Sequence, residues 1–238
     1  MDEAIELGGI TVEVVRKNIK NVHLSVHPPA GRVRVAAPPR VDLDAIRVFV
    51  IAKLGWIRRQ QQKYREQERE TPREYLERES HYVWGKRYLL EVIESDKPSF
   101  VDLGCGSMRI RIRPGASDEK KQALVEEWYR EQMRSAVPAV IAKWEPVMGV
   151  KVARFYVQRM RTRWGSCNPA SGSIRLNTDL AKKPPECLEY IVVHEMTHLI
   201  EPTHNERFME LMDRCMPQWK HHREELNRLP VREDDWEY

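Results

Sequence analysis

The chain has 238 residues, of which 41% are hydrophobic and 32% charged, and a formal net charge of +4. That balance supports a packed core under a heavily charged surface and excludes collagen-like and wholly disordered chains. Its longest strongly apolar run, Tyr190 to Val193, is far short of the ~18–20 residues of a membrane span.

Asp2, Glu3, Glu6 and Glu13 interrupt the first twenty residues, so no secretory leader is expected. Ile10–Val15 and Val22–Val26 alternate in part with period two, and Arg32–Ala36 alternates cleanly, with a turn signal at Pro28–Gly31. This predicts a small antiparallel sheet. Asp42 or Asp44 can cap a helix from about Ala45 to Gln67, with Ile46, Val50, Leu54 and Ile57 on one face. Tyr82–Trp84 and Arg87–Ile93 flank Gly85 and predict a hairpin, Met108–Arg113 predicts a strand, and Pro114-Gly115 breaks the chain.

Ser117 to Trp144 reads as a long helix, with Asp118 and Glu119 suited to its N-terminus and Pro138 able to kink it. Val150–Gln158 and Ser173–Asn177 read as strands, and Trp164-Gly-Ser-Cys167 between them as a turn packed on the core. Pro184-Pro185 opens a helix that runs to about Ile200. The expectation is an α+β chain, with an N-terminal β-rich region carrying one long helix over residues 1–115 and a compact second domain over 116–238.

Cys105, Cys167, Cys187 and Cys215 form no C-x-x-C pair and no disulfide framework. A reducing, cytoplasmic setting is therefore expected. Charge is uneven: residues 150–177 carry Lys151, Arg154, Arg159, Arg161, Arg163 and Arg175 and no acid. With Phe155, Tyr156 and Trp164 interleaved, that segment suits either a solvated strand face or a seat for single-stranded nucleic acid.

The chemistry lies in His194-Glu195-Met196-Thr197-His198, an H-E-x-x-H sequence on the last helix of this series. Residues four apart project from one helix face, so two imidazoles can reach one cation while the glutamate beside them stays free to take a proton. The flanking residues are apolar on several sides, so the helix is expected to be buried. Two histidines and a glutamate there call for compensation, which a metal supplies. His204 and Glu201 compete as third ligand. His204 is favoured because Pro202 ends the helix where Glu201 begins to face the site. Arg161 and Arg163 are candidate oxyanion or substrate-carboxylate donors. His221 and His222 suit a helix surface, and His23, His27 and His81 have no partner pattern. A cysteine nucleophile at Cys167 lacks a clear histidine partner.

Trp164-Gly-Ser-Cys167, Ile174-Arg-Leu-Asn177, Tyr190 to Leu199, His204-Asn205, Phe208 and Pro217-Gln-Trp219 together resemble the YgjP-like metallopeptidases, relatives of the SprT-like and minimal gluzincin-type zinc peptidases. The resemblance implies a compact zincin-like domain with an active-site helix. It also implies zinc on His194, His198 and His204, with Glu195 as general base. Trp164-Gly-Ser-Cys167 and Ile174–Asn177 would shape the sheet beside the cleft, which adds Trp164 and Asn177 to Arg161 and Arg163 as substrate-binding candidates. The function expected is zinc-dependent hydrolysis of a peptide or protein substrate. The alternative is a nucleic-acid-associated binding protein whose zinc site is structural or weakly hydrolytic. No membrane partner is expected, and the sequence does not give the oligomeric state.

Overall fold

The computed structural model describes residues 3–27, 30–66, 69–70, 74–75, 77–160 and 163–232. Pro28 and Pro29 of the expected turn lie outside them. The fold class is α+β, and the chain divides into two units, residues 1–71 with 230–238 and residues 72–229.

The first unit holds strands β1 (Glu3–Leu7), β2 (Ile10–Arg16), β3 (His23–His27) and β4 (Arg32–Ala37), in the order β1-β2-β4-β3. Val12, Val14, Val33 and Val35 fill the inward face that the period-two pattern predicts. The antiparallel sheet expected from sequence is corrected in one respect. β3 takes the outer edge, so β4 returns beside β2 and runs parallel to it. Alternation fixes which face a residue takes but not the strand order. The single helix expected over 45–67 is two, α1 (Leu43–Ile51) and α2 (Leu54–Glu66). Asp42 caps α1 by accepting a bond from the Ala45 N–H at 2.6 Å. The break follows a tightened bond from the Lys53 N–H to the Val50 carbonyl at 2.9 Å. Arg69–Glu70 forms β5.

The second unit begins with β6 (Ser80–Val83), β7 (Lys86–Glu94), β8 (Phe100–Leu103) and β9 (Ser107–Ile112), ordered β6-β7-β9-β8. The hairpin at Gly85 is present. This sheet, which the sequence pattern grouped with the N-terminal region, belongs to the unit that carries the HExxH helix. Next comes α3 (Asp118–Met148), which runs through Pro138 and Pro146 and stops at Gly149 in the left-handed conformation (φ 68). Its buried stripe is Val125, Tyr129, Met133, Val137, Ile141, Trp144 and Met148.

A three-stranded sheet follows, made of β10 (Arg154–Gln158), β11 (Gly165–Asn168) and β12 (Ser173–Asn177) in the order β10-β12-β11. β12 is therefore central, with a parallel partner on one side and an antiparallel one on the other. A buried 3-10 segment, Thr178–Lys182, leads into α4 (Pro185–Thr197). Then come α5 (Glu206–Cys215) and α6 (Trp219–Arg228), while β13 (Val231–Arg232) is part of the first unit, where it pairs with β5. α4 is buried on nearly every side, through Cys187, Leu188, Tyr190, Ile191, Val192, Val193 and Met196. Glu189 ties it to α3 by accepting bonds from Lys143 Nζ and from Trp144 Nε1, the latter at 2.7 Å. No helix among the described residues is long and apolar enough to cross a membrane.

Candidate metal centre

His194 and His198 stand one turn apart at the C-terminal end of α4, and His204 reaches them from the turn that follows. One nitrogen from each of the three lies within 4.8 Å of the other two. Ring centroids are 5.0 Å apart for His194 and His198, 5.0 Å for His194 and His204, and 4.5 Å for His198 and His204. His194 Nε2 and His204 Nε2 are 3.0 Å apart.

Several local features aim these rings. His198 Nδ1 lies 3.1 Å from the Glu201 carbonyl oxygen, which can only accept, so Nδ1 carries the proton and Nε2 keeps its lone pair for the centre. The Glu201 carboxylate faces elsewhere, accepting bonds from the Thr203 N–H at 3.2 Å and the Thr203 hydroxyl at 2.8 Å. The turn ends where Asn205 Oδ1 caps α5 by accepting from the Phe208 N–H at 3.0 Å. Phe208, 1% exposed, supplies a common floor, with ring centroids 5.0, 4.7 and 4.7 Å from His194, His198 and His204.

Burial, then His198, His204 and Arg223, push His194 down to about 3, and burial lowers His204 as well. Both imidazoles are therefore neutral at ordinary pH, the form that binds a metal. His194 Nδ1 is buried without a hydrogen-bond partner among the described residues. Three convergent imidazoles, one of them oriented from behind by a backbone carbonyl, make a donor set that fits a divalent transition-metal ion.

Glu195 is 5% exposed. A Cβ built on Gly165 of β11 would come within 2.6 Å of Glu195 Oε1 and 2.8 Å of its Cγ. Gly165 thus lets a strand backbone lie directly against the carboxylate, a close approach that any side chain would block. Cys167, two residues along the same strand face, is pushed up to about 11 by burial and by Glu195. It stays a thiol, which weighs against a cysteine nucleophile.

The four substrate-binding candidates fare differently. Arg161 lies outside the described residues. Arg163 is exposed, and its charge reaches Glu195. Trp164 packs at the margin of the core with Lys183 Nζ 5.8 Å from its ring. Asn177 is buried, and its amide is committed to the chain's own backbone: Nδ2 donates to the Met160 and Arg163 carbonyls at 2.7 and 3.0 Å, and Oδ1 accepts from the Asp179 N–H at 3.2 Å. An extended substrate pairing along Ser173–Asn177 is excluded, because both edges of β12 are occupied. The edge beside Glu195 is β11, where sequence reading predicts only a turn.

Sequence reasoning also passed over Gly165, Phe208 as the floor of the cluster, the Glu201 carbonyl and Arg223. Gly165 and Phe208 sit in quoted motifs, but their roles depend on which strand crosses α4 and where α5 returns. Away from α4, the outer face of the three-stranded sheet carries Arg154, Tyr156 and Arg175, with Arg175 Cζ 5.6 Å from the Tyr156 ring and Tyr156 42% exposed.

Three convergent histidines, two of them on an H-E-x-x-H helix that also carries a buried glutamate, make a donor set suited to a metal-dependent enzyme. The YgjP-like metallopeptidase domain family matches residues 20–229, and the chain belongs to that family. No curated protein matches it significantly. Among solved structures, the metallopeptidase zymogen of Pyrococcus abyssi abylysin aligns at 18% identity over 38% of this chain and 90% of its own. The TM-score is 0.36, a likeness too distant to bear on the fold.

Two outcomes are expected. Gly165→Ala displaces the Glu195 carboxylate and lowers peptidase kcat by about 10²-fold, while metal content, read by elemental analysis, is kept. The second concerns pH. Burial pushes the Glu195 carboxyl up from its ordinary 4.5 to about 8, against the pull of Arg163. Because the folded chain holds that proton to higher pH than the unfolded chain, the metal-free fold weakens as pH rises through this interval. The gain in melting temperature of chelated Glu195→Gln over chelated parent is therefore larger at about pH 8.5 than at about pH 5.

Proposed function

We propose that the chain is a zinc-dependent peptidase in which His194, His198 and His204 hold the metal and Glu195 is the general base. The observation that carries this reading is the convergence of three imidazole nitrogens within 4.8 Å beside a buried glutamate. Zinc is favoured by the all-imidazole donor set, since three protein ligands leave a coordination position free for chemistry. When bound, zinc supplies Lewis acidity, polarising the scissile carbonyl and acidifying water. Glu195, held in its acid form by burial, would be favoured in its basic form if a cation were held by His194, His198 and His204.

The chain's own residues do the rest. Glu195 takes a proton from the attacking water on its carboxylate and delivers it to the departing amine nitrogen. The exposed His204 side of the cluster gives water and a polypeptide access. β11 has one edge that no strand among the described residues pairs with, and this edge offers backbone N–H and C=O groups to an extended peptide, in a position fixed by the contact of Gly165 with Glu195. Asn177 holds the Met160 and Arg163 carbonyls, and Arg163 leads into this strand. Glu195→Gln is expected to lower peptide cleavage by about 10²–10⁴-fold while one zinc per chain remains. Undiminished cleavage by that variant removes Glu195 as the base.

A second reading concerns the outer sheet face, where Tyr156 is exposed and backed by Arg175. We infer that this cationic face binds single-stranded nucleic acid by phosphate contacts and stacking. Oligonucleotide binding measured by anisotropy should weaken as salt rises, persist under a chelator and fall in Tyr156→Ala. Loss of binding with the metal, and not with Tyr156, excludes it.

A further inference from the structure

Two arginines, Arg163 and Arg223, lie on elements that lead to the cluster, and neither has an ion-pair partner among the described residues. Arg163 is exposed and leads into β11. Asn177 Nδ2 holds its carbonyl at 3.0 Å, and two residues on Gly165 abuts the Glu195 carboxylate. Arg223, also exposed, is tied to the cluster through a run of aromatic contacts. Its Cζ lies 6.0 Å from the ring of Trp219, which is buried and pinned by a 2.7 Å bond from Nε1 to Asp213 Oδ1. Trp219 stacks on Tyr190 at 6.4 Å and 14°, and Tyr190 meets His194 edge-on at 5.9 Å and 67°.

The charges that reach the cluster are correspondingly one-sided. Arg163 acts on Glu195, and Arg223 acts on His194, His204 and Tyr190. The carboxylate of Glu201, which lies between His198 and His204 in the sequence, is turned away onto Thr203. Unpaired guanidinium groups on a rigid support are well placed to take up a carboxylate with two parallel N–H donors, and the ordering cost is small because Trp219 and the 163–165 backbone are already held.

We propose that Arg163, which leads into Gly165 and so towards Glu195, and Arg223, which is linked to His194 through Trp219 and Tyr190, are seats for carboxylate groups of the substrate, so that this chain favours peptide bonds flanked by Asp or Glu. The proposal rests on the cluster being a peptidase centre and adds to it the chemical class of substrate.

The test uses the zinc-loaded full-length protein. A mixed peptide library locates a cleaved bond, and that sequence is then synthesised with Glu, Gln or Lys at the positions flanking it. The parent should cleave the Glu peptide about tenfold better than the Gln peptide in kcat/KM. Arg223→Ala or Arg163→Ala should bring the ratio towards one at its own flank. Arg223→Lys should keep part of the preference, and Arg223→Glu should turn it towards the Lys peptide. A readout independent of turnover is anisotropy of a labelled Glu peptide on the Glu195→Gln protein. There, adding Arg223→Ala should weaken binding about tenfold. Equal cleavage of the Glu and Gln peptides by the parent overturns the carboxylate seats and leaves the peptidase centre standing. Cleavage of no library peptide overturns both.

Discussion

The structure of the second unit depends on one constraint: a helix that is apolar almost all round also carries two imidazoles and a carboxylate. α4 buries Val192, Val193 and Met196 completely, while Glu195 and His198 stay more than nine-tenths covered. Polar side chains in such a place need partners. Each side chain on the H-E-x-x-H turn meets a different neighbour. The Thr197 hydroxyl donates to the Val193 carbonyl at 2.8 Å, His198 is fixed from behind by the Glu201 carbonyl, and His194 is matched with His204. Glu195 is left against bare backbone at Gly165. The elements packed on α4 are those that serve these needs: β11 and β12 on one side, and α3, α5 and α6 around the rest.

That arrangement explains what the sequence disclosed and what it hid. The two helical histidines and the glutamate were legible because a helix converts a spacing of four residues into proximity. The third histidine was legible because a proline stops the helix two residues before it. Long periodic elements, such as α3 with its seven-residue buried stripe, were equally open to reading. The four-residue strand β11 was not. Gly165 and Asn168 at its two ends have little strand propensity, and its existence depends on pairing with β12. Once β11 is missed, β12 looks like an edge and Gly165 looks like a turn glycine. For the same reason Phe208 and Arg223 could be seen but not assigned, since each reaches the cluster only after α5 and α6 have folded back.

The two faces of the three-stranded sheet divide the work suggested for this region. Phe155, Val157, Cys167, Ile174 and Leu176 face α3 and α4, and Gly165 continues that row to Glu195. Arg154, Tyr156, Ser166 and Arg175 form the opposite face. Strand alternation alone therefore separates a side that faces Glu195 from a cationic one along these strands, where composition shows only a basic segment.

The all-round burial of α4 bears on whether the centre could be moved elsewhere. A segment cut out as residues 185–198 would keep both helical histidines and the glutamate, yet it would have no wettable side and could not persist alone in water. Grafted onto another scaffold, it would need a strand with an unadorned position opposite the carboxylate, a backbone oxygen behind the second imidazole and an aromatic floor beneath all three rings. The H-E-x-x-H signature is thus the visible end of a much larger requirement, and the portable unit is the entire body from residue 72 to residue 229.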